Sequence, residues 1–439
     1  MNEAQSFIAL TGPREIDGFE TEWATVSGSH LSVPLFIFHL AECPFSDYVN
    51  LMKVKQSPDD FRVEELSSLT PGDAGTFAFY RLTKIDWTTP DALQLVRRKW
   101  SIDAQRLSFA GLKDRHAHTI QYFTIFDGPR RDYREKNLTV EYLGQVPDEV
   151  RSSDILANRF RLVLRDLAES RAEASASAFT EVGSVGVPNY FDDQRFGSVG
   201  DENEFIARLM VKEQYEDALK LLLAGRYAFD KLAVKREKVM ILADWGDWPK
   251  LRAALPRGPA HSIVEHLVHN PTDFKGGLAR FDPELMALYL SAWQSHLWNR
   301  MLTEWLKLRL PAEQLTELRL RMGSHAIPRS LDDVALNEWQ NLKLPLPSSR
   351  LRWDDDATWA EPLRRVLAEE GMELSAIRLR EFRKPFFSKG DRDASVIPSN
   401  VTHSIQADER HPKRKKLELG FDLPRGCYAT MIVKRIVAG

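Results

Sequence analysis

The order in which hydrophobic periods change along these 439 residues constrains the fold more than any other feature. In DDFRVEEL, Phe61, Val63 and Glu65 alternate with Arg62 and Glu64, the two-residue period of a strand with one buried face. TPGDAG (Thr70 to Gly75) then marks a turn, and TFAFYRLTK predicts the next strand. TTP (Thr88 to Pro90) offers a capping hydroxyl and a first-turn proline to a helix with Ala92, Leu95, Val96 and Trp100 on one face. LSFAG and HTIQYFTIF are strand-like runs on either side of the charged segment LKDRHA, which is therefore a loop. FRLVLRDL adds a strand, and AESRAEASASAFTEVG has the composition of a helix.

The texture changes after Gly197. From about Asp201 to Glu373 helical stretches dominate, including DALKLLLAG and a run from Pro283 to Leu308 in which Met286, Tyr289, Trp293, Leu297 and Met301 fall near helical spacing. Strand-like sequence returns in LELGFDLP and CYATMIVKRI, around the turn PRG (Pro424 to Gly426). A strand-bearing domain interrupted by a helical one is the arrangement this order predicts. No internal repeat at a fixed period suggests a solenoid.

Composition narrows the function classes. The longest apolar stretch, SVPLFIFHL (Ser32 to Leu40), is too short to cross a bilayer and reads as a buried strand. MNEAQSFIAL has no secretory pattern, and Cys43 and Cys427 lie far apart, so a cytoplasmic, disulfide-free chain is expected. Two cysteines without His-x-x-x-His or His-Glu-x-x-His spacing make no metal site. With 60 Lys and Arg against 63 Asp and Glu, the net charge of −3 does not announce a nucleic-acid binder, so the distribution of charge must decide. Basic residues cluster in RLREFRK (Arg378 to Lys384) and HPKRKK (His411 to Lys416), where Arg383, Lys384, Lys413 and Arg414 are candidates to neutralise phosphates. Their alternative is a solvated charged surface.

The segment FAGLKDRHAHTIQ (Phe109 to Gln121) carries the clearest chemistry. Asp114 sits between Lys113 and Arg115, cations that favour a charged carboxylate able to attack or to take a proton. Gly111 ahead of it permits a tight turn or a close approach of backbone. Taken alone, Gly-x-Lys-Asp-Arg also describes an ordinary charged turn.

The ordered set of motifs adds the context. VKQSPDDFRVEE (Val54 to Glu65), FAGLKDRHAHTIQ, LANRFRLVLRD (Leu156 to Asp166) and VPNYFDDQRFG (Val187 to Gly197), followed by YLSAWQSHLWN (Tyr289 to Asn299) and LPRGCYATMIVKRI (Leu423 to Ile436), resembles the TruD family of pseudouridine synthases from about Leu51 to Val437. The resemblance implies an α+β fold: a catalytic domain with a mixed, largely antiparallel sheet, in two parts (46–200 and 374–439), and an inserted helix-rich domain (201–373), after an N-terminal extension (1–45).

It also implies a reaction. Uridine becomes pseudouridine when the N1 to C1′ bond breaks, the base turns and C5 joins C1′, so no cofactor or metal is needed. Asp114 would be the catalytic carboxylate, as nucleophile or as base toward a sugar proton. Lys55, at the position of a family lysine near that carboxylate, would support it, and Lys113 and Arg115 flank it. Asn158 and Phe160 match the family's Asn-x-Phe motif and would meet the polar edge and the face of a flipped base. Asn189, Gln194 and Arg195 would position the loop or contact RNA, while Phe191 and Phe196 pack. The implied partner is RNA, with uridine at position thirteen of tRNA as the usual substrate of bacterial members. His118 departs from a small apolar residue common in the family and reads as structural. Asp192 and Asp193, where a glycine is usual, bear on RNA affinity. A non-catalytic RNA-binding protein of the same fold and a carboxylate-pair glycoside hydrolase are the rival readings.

Overall fold

The computed structural model of the chain describes residues 53–227, 230–379, 382 and 386–438, together with three short N-terminal strands, Ile8–Ala9, Trp23–Val26 and Val33–Pro34. Most of the N-terminal extension, and all of the expected strand 32–40 except Val33–Pro34, lies outside the described residues. None of the described helices is long and apolar enough to cross a membrane.

The described chain divides into two compact units. One runs to Asn189 and resumes at Ser395; the other is Tyr190–Ala394. These divisions differ from the expected ones near 200 and 373, and packing explains both. Tyr190 donates to the Ala326 carbonyl at 2.7 Å, and Phe191 exchanges two main-chain hydrogen bonds with the Asn299 amide, which commits the chain to the second unit from Tyr190 onward. At the other end Asp391–Asp393 pairs with Lys343–Pro345 and stays within the second unit.

The first unit is built on a ten-stranded sheet. In chain order its strands are β1 (Lys53–Val54), β2 (Phe61–Ser67), β3 (Phe77–Ile85), β4 (Leu107–Phe109), β5 (His118–Phe126), β6 (Tyr133–Glu135), β7 (Leu138–Val146), β8 (Ile155–Leu167), β9 (Ser399–Ala407) and β10 (Lys415–Pro424). The spatial order is β9-β10-β8-β2-β5-β3-β7-β6, with β1 on β8 and β4 on β5. Only β2 and β5 run parallel, in the register Arg62 to His118 and Val63 to Thr119, so the sheet is mixed and largely antiparallel. The α+β expectation holds.

Three helices bury the sheet's apolar side chains. α1 (Thr89–Trp100) starts where the sequence predicts, with Thr88 Oγ1 accepting from the Asp91 amide at 3.2 Å, and it buries Ala92, Leu93, Val96 and Trp100. These pack with Tyr80, Leu82, Phe123 and Ile125 in one apolar cluster. α2 (Glu169–Val185) and α3 (Ala429–Ala438) close a second cluster around Phe61, Val63, Phe160, Phe179, Leu419 and Phe421. Each such side chain removed from water stabilises the fold by roughly 1.5–3 kcal/mol.

The strand expected in CYATMIVKRI is a helix, α3. Ala429, Ile432, Val433, Ile436 and Val437 repeat every three to four residues and all pack into the second cluster, whereas a short apolar run with β-branched residues carries no periodicity that separates the two states.

The second unit is mainly helical. Its centre is the 27-residue helix Pro283–Arg309, started by Asp282 Oδ1, which accepts from the Glu284 and Leu285 amides at 2.9 and 3.0 Å. The hairpin Leu315–Leu320 and Gly323–Pro328 adds strands to the pair Lys343–Pro345 and Asp391–Asp393. Burial lowers the pKa of His296 to about 4 and of His325 to about 3, so both are neutral core groups.

Candidate active site

Asp114 lies in the loop between β4 and β5, with its carboxylate 38 % exposed and its Oδ2 2.9 Å from Lys55 Nζ. The lysine is 7 % exposed and its ammonium stands 3.6 Å from the centroid of the Phe61 ring. Burial pulls the Lys55 pKa below the usual lysine value, and the Asp114 carboxylate opposes that pull. Lys55 adopts φ 59°, a left-handed conformation uncommon for a side chain of this size and one that recurs at functional sites. An open carboxylate beside a sheltered cation can offer oxygen to a ligand while its charge stays balanced from behind.

The loop that carries Asp114 is fastened from several elements. Thr89 Oγ1, in the first turn of α1, accepts from the Lys113 amide at 3.0 Å and donates to Gln121 Oε1 at 2.7 Å. Gln121 Nε2 reaches the Gly111 carbonyl at 3.3 Å. From beneath, Lys84 Nζ donates to the carbonyls of Asp114, Lys113 and Trp87 at 2.9, 3.3 and 2.7 Å. Lys113 pairs its own ammonium with Glu65 Oε1 at 2.7 Å, while Glu65 Oε2 accepts from the Tyr122 amide. Arg115 closes the turn by accepting at its carbonyl from the Ala117 amide. Gly111 shows neither a positive φ nor crowding, since a Cβ there would meet nothing within 4 Å; the expectation of a tight or close-packed backbone at this glycine is corrected.

The Lys55 turn is fastened as firmly. Asp60 Oδ2 accepts from the Ser57 amide at 3.0 Å, and its Oδ1 accepts from Arg165 Nε and Nη2 at 3.0 and 2.8 Å. Arg165 also donates to Asp408, which accepts from the Asp166 amide. Burial alone would raise the Asp408 pKa, but the hydrogen bonds from the Asp166 and Arg410 amides and from Arg165 outweigh it and hold it lower.

Other residues singled out in the sequence fall in different places. Phe160 is a core ring, 8 % exposed, stacked on Phe421 at 5.5 Å and edge-on to Phe61 at 6.2 Å, so it borders the site through the ring that faces Lys55. Asn158 pairs in register with Glu65, and its buried Oδ1 has no hydrogen-bond partner among the described residues. Asn189 is buried at 4 % exposure. Gln194 and Arg195 belong to the second unit, in the turn Asp193–Phe196, where Arg195 donates to Ser295 and Ser291. Lys413 is exposed, whereas Arg414 is tied to Asp166 at 2.8 Å. Arg383 and Lys384 lie outside the described residues. His118 meets Asp59 at 3.2 Å, in keeping with a structural role. Asp192 and Asp193 are buried and accept from the Asp193 and Arg321 amides, so both cap internal backbone.

Lys84, Thr89, Gln121, Glu65 and Arg165 were not identified from sequence as contributors. Lys84 carried a signal, because it falls in phase with Tyr80 and Leu82 on the inward face of a predicted strand.

Residues 50–436 match the family described as TruD, tRNA pseudouridine synthase D. A Methanococcus maripaludis protein named "Probable tRNA pseudouridine synthase D 1" is 29 % identical over 391 residues, covering 88 % of this chain and 99 % of its own. The tRNA pseudouridine synthase D of Aquifex aeolicus is 28 % identical over 395 residues, covering 88 % and 98 %. A Methanosarcina mazei crystal structure bearing the TruD name superposes with a TM-score of 0.69 at 24 % identity, over 88 % of this chain and 93 % of that one, and shows the same fold. Fold and family together define an RNA-modifying isomerase, a pseudouridine synthase. The chain belongs to the TruD family.

Proposed function

We propose that the chain isomerises uridine to pseudouridine in tRNA, at position thirteen, with Asp114 as the group that acts on the nucleoside. The observation that carries this reading is the 2.9 Å pair between the open Asp114 carboxylate and the sheltered Lys55 ammonium. The relatives named tRNA pseudouridine synthase D support tRNA as the substrate, and position thirteen rests on the resemblance of the motifs to the bacterial members of the family.

The reaction balances within one nucleoside. The N1 to C1′ bond breaks, a C5 to C1′ bond forms, the C5 hydrogen leaves as a proton and N1 gains one. Asp114 either attacks the nucleoside or removes a sugar proton, and a carboxylate oxygen is suited to both tasks. Lys55 balances its charge. The buried Oδ1 of Asn158 lacks a partner among the described residues, which makes it a candidate to meet a donor of the bound base, since buried acceptors are normally satisfied. Phe160 supports the site by packing behind Phe61. Exposed Lys413 would meet phosphate, Arg383, Lys384 and Arg414 would add charge in the same part of the sequence, and Asn189, Gln194 and Arg195 would hold the substrate-facing loops. The first unit is the catalytic domain, the second the inserted one, and the enzyme works in the cytoplasm, where tRNA is found.

The test is tritium release from tRNA labelled at uridine C5, with wild type and Asp114→Asn compared. Release by wild type alone, abolished when position thirteen is cytidine, is the expected result. Free uracil would instead indicate a hydrolase, and tRNA binding without release would indicate a non-catalytic RNA-binding protein.

A further inference from the structure

Lys84 is the most completely enclosed lysine near the site, at 0 % exposure, and it has no role in the proposed chemistry. It reaches the inward face of β3 in phase with Tyr80 and Leu82, a position that otherwise takes apolar side chains. Among the described residues all of its hydrogen bonds go to main-chain carbonyls: Trp87 at 2.7 Å, Asp114 at 2.9 Å and Lys113 at 3.3 Å. An ammonium has three donors and no acceptor, so three carbonyls use it completely.

Two of those carbonyls have a special relation to the reacting group. The Lys113 carbonyl belongs to the peptide before the Asp114 α-carbon, and the Asp114 carbonyl belongs to the peptide after it. Fixing both peptides fixes the direction in which the Asp114 side chain leaves the backbone. Thr89 holds the Lys113 amide, Gln121 holds the Gly111 carbonyl and Lys55 holds the carboxylate itself, whereas Lys84 takes the carbonyls of both peptides that flank the Asp114 α-carbon.

We propose that Lys84 is a positioning residue for catalysis: its ammonium clamps the two peptides flanking Asp114 and so aims the carboxylate at the nucleoside. This rests on the isomerase reading above. Burying an ammonium without a directly paired carboxylate is costly, and an apolar residue of similar length would fill the same space. The charged groups that act on Lys84 are Asp114, which favours its protonated form, and Lys113, which disfavours it; burial is the larger influence and brings its pKa down to about 8. Losing the proton turns one donor into a lone pair facing a carbonyl, and the clamp loosens.

Three variants of one assay test this. Lys84→Met keeps the length of the side chain and removes the donors, so it should lower kcat for tritium release by about 100-fold, the usual consequence of a misplacement near 1 Å, with tRNA Kd within about threefold of wild type. Lys84→Arg keeps charge and donors and should recover most of that loss. Wild-type kcat should fall as pH rises through about 8, and Lys84→Arg should move that limb upward, because a guanidinium keeps its proton. A well-folded Lys84→Met with kcat within about threefold of wild type would overturn the proposal. If Lys84→Met does not fold, the pH profiles decide, and an alkaline limb that Lys84→Arg leaves in place also overturns it. A crystal structure of a folded Lys84→Met protein gives a readout independent of turnover: the Asp114 carboxylate should leave its position beside Lys55, and an unmoved carboxylate would count against the clamp. Failure of wild type to release tritium bears on the isomerase reading, whereas the ratio of variant to wild type bears on Lys84.

Discussion

Asp60 and Arg165, 105 residues apart, form a two-bond contact in which Arg165 Nε and Nη2 both donate to Asp60 Oδ1, at 3.0 and 2.8 Å. The other oxygen of Asp60 holds the Ser57 amide, so an arginine of β8 sets the turn from which Lys55 reaches Asp114. The Lys55–Asp114 pair therefore has separate supports, one for each partner.

Breaking the first support should cost stability as well as activity. Arg165→Met leaves Asp60 and Asp408 buried without their cation, and urea unfolding of the first unit should show a loss of roughly 3–5 kcal/mol. Adding Asp60→Asn to that variant should return part of the loss, since the amide carries no unpaired charge.

Lys55→Met tests the pair itself. The side chain is nearly isosteric and its stem stays against Phe61, so melting should change little while kcat for tritium release falls roughly 100-fold or more, because a charge beside the reacting carboxylate is lost. Unchanged kcat would remove Lys55 from the site.

Acid should weaken the network through Asp408. Its folded pKa lies below the ordinary 3.8, so its contribution is fully present above that value and is lost as pH falls through the folded one. The stability difference between wild type and Asp408→Asn should accordingly shrink below pH about 3.8, followed by urea midpoints between pH 5 and 3.

Lys84 should behave in the opposite sense. Its folded pKa is near 8 against 10.5 for a free lysine, so the burial cost of the charged form is fully present below pH 8 and is relieved as pH rises toward 10.5. Relative to Lys84→Met, wild type should gain up to about 3 kcal/mol across that window, while its activity falls through the lower end of it. Stability and turnover moving in opposite directions with pH would mark a charge retained for function.

Phe160→Ala should cost about 3–5 kcal/mol, the scale for a buried aromatic, with Phe160→Leu losing much less. If the ring acts only by packing, Phe160→Leu should retain most of the turnover in the tritium assay.

Local patterns exposed much of the sheet and little of its wiring. The alternation of Phe61, Val63 and Glu65 marks β2 because one face is buried, and the charged loop around Asp114 stands out between two apolar strands. Lys55 emerged only by resemblance, since nothing in a lysine's neighbours announces a partner 59 residues away. Arg165 and Asp60 were hidden for the same reason: long-range pairs leave no period. Lys84 was overlooked although its phase was legible, because a lysine in a strand is ordinarily exposed. α3 misled because Ile432, Val433 and Ile436 suit either state until a core selects one. The boundary at Tyr190 depended on partners such as Asn299 that lie far along the chain.

The first unit is interrupted at Asn189 and resumes only at Ser395, which gives synthesis of the chain a fixed timetable. When Lys55, Lys84, Asp114 and Arg165 have all left the ribosome, Asp408 and the strands β9 and β10 are still to be made, and the entire second unit must come first. A nascent chain thus carries every residue of the carboxylate and its clamp without the sheet edge that braces Arg165. The sheet that carries the carboxylate is therefore completed only after the second unit has been made.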